Sequence, residues 1–594
     1  MFNLKLIIKP FLGITFQATF VKIALLFLFV CGGMTLHAQN TTPLDTAPGV
    51  NTGPATNPPA ATPPPAVPAP VPPATTDEGP SLLSNGDFQL ATLDPAWPDG
   101  WPKAPGLSWE TENGKHFYRF VQQEPGKMLM AYREMPISSN VKGLKITVRY
   151  RTSGVVHGAQ NWNDARAIFH FLDASRKQVN HDPAAIIFPT DAPTWTEASV
   201  TCTVPPDAAI LAVMPSLFQV QSGTLDLAEV RITALDDTAV NKMVAEVTSK
   251  EQTAADEAAL INQELALPAK TLELKVSGNK LVTADGKPVW LQGVNVVRLG
   301  WSPNGEGTTL WAVHLAIDDW HANIIRLPVQ DSLWFGLGRG GAPGNDKEAY
   351  RALVDNAVKL AAARGDYILL DLHRFLTPDA DCVAFWKDAA ARYKNNPAVL
   401  FDIFNEPHDT TWEVWRNGGP VEIKQKDGTT QTIQGVGMQA LVNAVRGTGA
   451  RNIIAAGGLA YAYDLTGIMK GFALDDKGGN GIMYATHFYN WHTGWTAHFM
   501  AVAAKYPVLV GETGGSINKM NFIPLAAQES PYTWAPDAIG FFQKNHLNWT
   551  GWCFDTGATP AMLLDMHSGA PNPYWGQFVK DALAGKQFEM KKER

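Results

Sequence analysis

Val399-Leu-Phe-Asp-Ile-Phe-Asn405-Glu406-Pro407 is a short apolar run that ends on polar and turn-forming residues. A parallel strand covered on both faces reads as a near-continuous hydrophobic stretch, and functional groups gather at its C-terminal end. The same pattern recurs at Val289–Val296, Asn323–Val329, Tyr367–His373, Asn452–Gly458, Ile482–Tyr489, Pro507–Glu512 and Trp549–Asp555. Helical patterns fall between these runs. In Glu348–Arg364, Leu353, Ala357, Leu360 and Ala361 share a face, and Gly365 ends the helix. Pro378–Tyr393, Gly435–Val445 and Pro536–Asn545 are further helical segments. Eight strands alternating with helices predict a (β/α)8 TIM barrel over residues 269–588. The competing open, doubly wound sheet normally carries a Gly-rich phosphate loop after its first strand. Val297-Arg-Leu-Gly-Trp-Ser-Pro303 is no such loop.

Upstream of the barrel the character changes. Residues 237–268 place Val240, Val244, Val247, Ala254, Ala258, Ile261 and Leu265 at helical spacing and stop at Pro268, predicting a helical linker. Residues 81–236 read as all-β. Leu144-Lys-Ile-Thr-Val-Arg-Tyr-Arg151 alternates apolar and polar residues, and His116–Val121, Ala167–Leu172, Glu197–Val204 and Thr224–Ile232 are similar. They predict a β-sandwich of jelly-roll type. Residues 39–80 form a linker in which half of Pro54–Pro73 is proline, a composition that stays extended. Residues 1–38 read as an export signal: Lys5, Lys9 and Lys22 precede the apolar run Ile23–Val30, and small residues follow, with cleavage expected after Ala38. The expected location is therefore secreted or periplasmic, with no membrane partner once the leader is removed.

The chain has 594 residues and a formal net charge of −8, which argues against nucleic-acid partners. Of its four cysteines, Cys31 lies in the leader, and Cys202, Cys382 and Cys553 are isolated. No disulfide framework is predicted; Cys382 with Cys553 is the one pairing to check. The 19 tryptophans supply flat apolar faces suited to stacking on sugar rings, although most are expected in the core.

A TIM barrel carries its active site at the C-terminal strand ends. Those ends offer Arg326, His373, Asn405 with Glu406, His487 with Tyr489, Glu512 and Trp552. Two carboxyl groups about 5–5.5 Å apart are what retaining hydrolysis of a glycosidic bond requires. Asn405-Glu406-Pro407, ending the fourth strand, resembles the motif of glycoside hydrolase family 5, and Val508-Leu-Val-Gly-Glu512-Thr-Gly is similar to that family's seventh-strand motif. Ile325-Arg326-Leu-Pro, Leu370-Asp-Leu-His373, His487-Phe-Tyr489 and Trp552 match further positions in the same order. The resemblance implies that Glu406 is the acid/base and Glu512 the nucleophile. Arg326 and Tyr489 are then expected to support Glu512. Glu406 is expected to be held protonated by desolvation and by the charge of Glu512. Asn405 is expected at the sugar 2-hydroxyl, His373 and His487 at hydroxyls and carboxylates, and Trp552 beneath the sugar. No metal or cofactor is called for.

Trp301, Trp334, Trp412, Trp415, Trp491 and Trp495 follow strand ends and are candidates for outer sugar subsites, whereas Trp320 is expected in the core. The β-domain resembles a jelly-roll carbohydrate-binding module at Leu82-Leu-Ser-Asn-Gly-Asp-Phe88 and Ser222-Gly-Thr-Leu-Asp226-Leu. On that resemblance Trp162 and Tyr118 are candidate sugar-stacking residues, and Asp87 and Asp226 candidate Ca2+ ligands; a sandwich that only packs is the alternative. The whole is expected to be a retaining endo-β-1,4-glucanase acting on β-glucan or a related polysaccharide. A β-mannanase or other β-glycanase on the same barrel, or a non-catalytic polysaccharide-binding protein, remains open.

Overall fold

In the computed structural model, residues 79–160, 162–337, 344–424, 428–520 and 523–594 are described. The leader and nearly all of the proline-rich linker lie outside them. The described chain divides into two units, with the boundary at Thr253/Ala254.

The second unit is built on a closed parallel barrel. Its strands are β1 (Gln292–Asn295), β2 (Ile324–Val329), β3 (Tyr367–Leu372), β4 (Val399–Asp402), β5 (Ile454–Gly457), β6 (Ile482–Tyr489), β7 (Val508–Gly514) and β8 (Asn548–Gly551). Helices α1 (Lys347–Arg364), α2 (Ala380–Tyr393), α3 (Met438–Gly447), α4 (Pro531–Asn545) and α5 (Gly576–Leu583) belong to this unit. Their apolar faces join the outward strand residues in one core, for example Val354, Ala357 and Leu360 of α1 with Ile325 and Leu327 of β2. The Asp346 carboxylate caps α1 by accepting from Glu348 N and Ala349 N, and Gly365, at φ 92°, ends it. A three-stranded sheet (Leu274–Ser277, Lys280–Thr283, Pro288–Val289) closes a second core. There Leu274 and Leu281 meet the barrel-lining Leu369, Leu400, Met483 and Leu509.

Several boundaries differ from the sequence expectation; the helix expected from Pro536 starts at Pro531, and the strand expected to reach Asp555 ends at Gly551. The run Val289–Val296 divides, because Leu291 N and Gln292 N bond the side chains of Asn548 and Asn323 rather than a neighbouring strand. The fourth barrel strand stops at Asp402; Asn405 N then bonds Leu372 O, and Glu406–Pro407 forms a separate parallel pair with Phe375–Leu376. A hairpin, Gly419–Lys424 with Thr430–Gly435, precedes α3, which starts at Met438.

The first unit contains two antiparallel sheets around one core. One sheet orders Leu107–Glu112, Lys115–Val121, Ser222–Ala234, Gly143–Val156 and Ala192–Thr203. The other centres on Ile210–Leu217 paired with Ala165–Leu172. Tyr118 is buried within this core, so it is corrected from a sugar-stacking candidate to a packing residue. Asp226 is likewise no Ca2+ ligand. Arg119 and Arg151 bond both its oxygens at 2.6–2.8 Å, and Asp87 is exposed. Trp162 is exposed.

The predicted helical linker is the helix Asp237–Glu264. Val240 lies against Gly143 in the first unit, and Ile261 enters the barrel core in the second. Cys202, Cys382 and Cys553 are free thiols. Among the described residues no helix is long and apolar enough to cross a membrane.

Candidate active site

The barrel register brings polar side chains from six strand ends to one mouth. Asn295 of β1 pairs with Arg326 of β2, and Asp371 of β3 with Asp402 of β4. Between β6 and β7 the register shifts at Thr486/His487, which sets His487 beside Glu512. An irregularity of this kind re-aims a side chain at a strand end.

Arg326 is fully buried at the centre. Its Nε donates to Asp402 Oδ2 at 2.9 Å, and Nη1 donates to Asn295 Oδ1 at 3.0 Å and Glu512 Oε1 at 2.8 Å. Nη2 donates to Asn405 Oδ1 at 2.8 Å and lies 3.1 Å from Asp371 Oδ1. One guanidinium therefore meets three carboxylates. Burial opposes its charge, but Asp371, Asp402 and Glu512 outweigh that and hold it firmly protonated. Asp402 is pushed upward, first by burial and then by Asp371 and Glu512, against the pull of Arg326.

Glu512 receives a second donor, the Tyr489 hydroxyl, at 2.6 Å on Oε2. Burial, followed by the charge of Glu512, keeps the Tyr489 phenol protonated. His487 Nδ1 stands between the two acids, 2.8 Å from Glu406 Oε1 and 3.6 Å from Glu512 Oε2. The facing atoms of Glu406, His487 and Glu512 all lie within 4.8 Å of one another. Burial depresses His487 to about 4, so the ring is neutral. Burial pushes the Glu406 carboxyl up to about 7, with His373 and Arg326 pulling the other way. Desolvation, rather than the neighbouring Glu512, is thus the main force on the acid.

His373 Nδ1 bonds Asp371 Oδ2 at 2.7 Å. Burial opposes its charge, but Asp371 outweighs burial and raises it. Trp552 is half-buried and lies parallel to the His373 ring, 5.6 Å between centroids. All eight residues proposed from the sequence for this site, Arg326, His373, Asn405, Glu406, His487, Tyr489, Glu512 and Trp552, are therefore at one mouth. Arg326 takes Asn405 Oδ1, which leaves the buried Nδ2 as an amide donor without a protein partner.

Sequence reasoning missed several members. Asp371, Asp402 and Asn295 hold the guanidinium; their only signal was a polar residue at or near the end of an apolar run. Phe375 and Tyr461 are exposed aromatics on either side of the Glu406 segment. Phe375 pairs with Glu406 across the short bridge, and Tyr461 N bonds Pro407 O at 3.1 Å. Tyr461 stacks on His408 at 4.0 Å and sits in a turn where Ala460, Tyr461 and Ala462 all have left-handed φ of 55–63°.

Three of the proposed outer-subsite tryptophans are instead core. Trp334, Trp415 and Trp495 are fully buried, and their indole N–H groups donate to Asp388, Gly457 O and His492 O. Trp301, Trp412 and Trp491 are partly exposed, and Trp491 lies flat on Tyr489 at 4.7 Å. Trp320 is in the core.

Among the described residues, two groups of side chains have the make-up of a metal site: Glu406, His487 and Glu512, and, away from the mouth, Glu264, His314 and Asp318. In each an arginine already bonds at least one carboxylate, Arg326 on Glu512 and Arg364 on both Glu264 and Asp318.

A closed parallel barrel whose mouth holds two carboxylates this close defines a TIM-barrel protein of the glycoside hydrolase type. Residues 282–557 match the family model of cellulase, glycosyl hydrolase family 5, and the barrel is a domain of that family. Endoglucanase A of Butyrivibrio fibrisolvens is 33% identical over 146 residues, covering 24% of this chain and 33% of that protein. An endoglucanase of Paenibacillus polymyxa is 25% identical over 340 residues, covering 48% of this chain and 81% of that one. The chain thus spans about a third of the Butyrivibrio protein's length. A crystal structure of a beta-glucanase from Saccharophagus degradans with cellotetraose is 23% identical, with a TM-score of 0.43, covering 53% of this chain and 94% of that one.

Proposed function

We propose that this chain is a retaining endo-β-1,4-glucanase, with Glu406 as acid/base and Glu512 as nucleophile. The observation that carries the reading is that facing oxygens of the two acids lie within 4.8 Å of each other, beside one neutral imidazole, as suits carboxyl groups about 5–5.5 Å apart. Inverting enzymes need roughly 6.5–9.5 Å between the carboxyl groups to admit a water. Endoglucanases among the relatives, and the cellotetraose bound by the Saccharophagus protein, favour a β-glucan substrate.

The chemistry follows from the contacts. Glu406, protonated below about pH 7, donates its proton to the leaving glycosidic oxygen. Glu512, oriented by Arg326 and Tyr489, attacks the anomeric carbon as the bond to that oxygen breaks, giving a glycosyl ester. The Glu406 carboxylate then takes a proton from water. The water oxygen bonds the anomeric carbon, the ester bond breaks and Glu512 is released. Two inversions retain the configuration. Asn405 Nδ2, aimed by the bond from Arg326 to its carbonyl, is the donor for the sugar 2-hydroxyl, a contact that strengthens as positive charge develops on the ring. Trp552 supports the ring at the point of cleavage. Phe375 and Tyr461 flank the acid, where the leaving chain departs. The sandwich unit is proposed as a carbohydrate-binding module bearing Trp162, and the leader-like sequence of residues 1–38 supports a location outside the cytoplasm.

The test is product analysis on carboxymethyl cellulose, lichenan, xyloglucan, glucomannan and mannan, with the first-formed anomer read by NMR. β-Anomer release from the β-1,4-glucans is expected. An α-anomer would overturn the retaining mechanism, and turnover of mannan alone would move the substrate to the mannanase alternative. Insoluble members of the same panel test the sandwich: the Glu406→Gln chain should be retained, and adding Trp162→Ala should release it.

A further inference from the structure

The segment after α5 runs back along α4 as a strap. Phe588 N bonds Gln543 Oε1 at 2.8 Å, and Gln543 Nε2 donates to Lys586 O at 2.7 Å. Gly540 lets the strap approach, since a Cβ there would lie 2.6 Å from Phe588 O and 2.9 Å from Met590 N. Further along, Lys591 N bonds the buried Asp537 Oδ1 at 2.5 Å.

The strap leads to Arg594, whose side chain is only 4% exposed. The guanidinium forks onto Glu529 at 2.9 and 2.8 Å, bonds Asp537 Oδ2 at 2.6 Å and lies over the buried Trp495 ring at 5.4 Å. The main-chain oxygen of Arg594 accepts from Gly494 N at 2.7 Å and Trp495 N at 2.9 Å. Every one of these partners belongs to α4, to the residues just before it, or to the loop that follows β6.

That loop carries the support of Glu512. Glu529 N bonds Asn490 O at 3.0 Å, and Asn490 Nδ2 donates back to Glu529 O at 2.5 Å. Asn490 follows Tyr489, whose hydroxyl bonds Glu512. From the other side, Trp495 Nε1 donates to His492 O at 2.9 Å, and His492 Nδ1 accepts from Tyr489 N at 3.0 Å. Burial depresses His492 to about 3, so it remains a neutral acceptor. Two hydrogen-bonded routes therefore lead from one arginine to the tyrosine that orients the proposed nucleophile.

We infer that Arg594 is a positioning residue: it clamps the 490–495 loop so that Tyr489 and the Trp491 ring stacked on it keep their register with Glu512. The catalytic part of this inference rests on the proposed glycosidase reading; the clamp itself does not. A planar fork on a carboxylate, stacked on an indole, is a role for arginine that lysine cannot fill.

The experiment compares the full chain with its Arg594→Ala, Arg594→Lys and Glu529→Gln variants, well below their melting temperatures. Hydrogen–deuterium exchange across 489–495 should rise about tenfold in Arg594→Ala, with the β2–β4 amides unchanged. On 4-nitrophenyl β-cellobioside, kcat should fall about tenfold while KM moves less than threefold, because aim at Glu512 is lost rather than substrate affinity. Arg594→Lys should recover little, and Glu529→Gln should show the same loop exposure. Wild-type exchange in the loop of Arg594→Ala overturns the clamp, and so does lost kcat with unchanged exchange. If the wild-type chain hydrolyses nothing, the glycosidase reading fails, and the exchange measurement still decides the clamp.

Discussion

Two arginine–carboxylate knots, one partly exposed and one fully buried, show how differently the same groups are used. In the sandwich, Arg119 and Arg151 share Asp226, and Arg151 also holds Glu112 at 3.0 Å. Two positive charges meet two negative ones, and both oxygens of Asp226 are bonded. In the barrel, Arg326 alone faces Asp371, Asp402 and Glu512. Burial first, and the excess negative charge after it, pushes Asp402 up; Asp371 raises His373 against burial; and Asp402 Oδ1, Asn405 Nδ2 and His487 Nε2 are buried without hydrogen-bond partners. A balanced knot is what a structural tie needs. An unbalanced one, with orphaned polar atoms, keeps interaction capacity in reserve for a reacting partner.

The comparison breaks first at the two acids. Glu512→Ala and Glu406→Gln should each lower turnover about 10³-fold or more while circular dichroism shows the fold intact. Near-normal kcat in either folded variant would remove the barrel knot's claim to chemistry. Next, Arg326→Met should strip the shared guanidinium from three buried carboxylates and destabilise the barrel by about 3–5 kcal/mol in urea unfolding. Asp226→Ala should cost the sandwich about 1–3 kcal/mol, since its partly exposed arginines can turn to water, and should leave kcat on a soluble substrate unchanged. Equal losses of activity in these two variants would erase the distinction. The smallest effect is on the pH profile. Glu406 is active as an acid only when protonated, so kcat should fall about tenfold per unit above pH 7. Because its folded value lies above its ordinary 4.5, its share of stability is full below that and is lost as pH rises through about 7. A basic limb that persists in Glu406→Gln would assign that titration to another group.

Much of the barrel was legible because parallel strands covered by helices leave apolar runs, and polar residues at their ends mark the mouth. Asp371 and Asp402 were not legible as partners of Arg326. Each sits inside or at the end of an apolar run, and only the register that sets them side by side shows their purpose. The tryptophans misled for a related reason. Trp334, Trp415 and Trp495 follow strand ends as a subsite residue would, but each indole finds an interior acceptor, which lets it be buried. Segment 399–406 reads as one strand, yet its backbone N–H groups change partner after Ile403, from Ala455 O to Leu372 O and Arg374 O, a matter of neighbouring strands that no local pattern records.

The turn at Ala460–Tyr461–Ala462 has a practical consequence for anyone seeking a hardier enzyme. Three successive residues with side chains hold left-handed backbone where glycine would rest at ease, at a cost of roughly 1–2 kcal/mol apiece. Glycines at 460 and 462 would recover some of that energy, and a screen for heat resistance would favour them. The same exchange would give the ring of Tyr461 a wider arc beside the acid. In this corner of the protein, gains in melting temperature and fidelity of aim run in opposite directions.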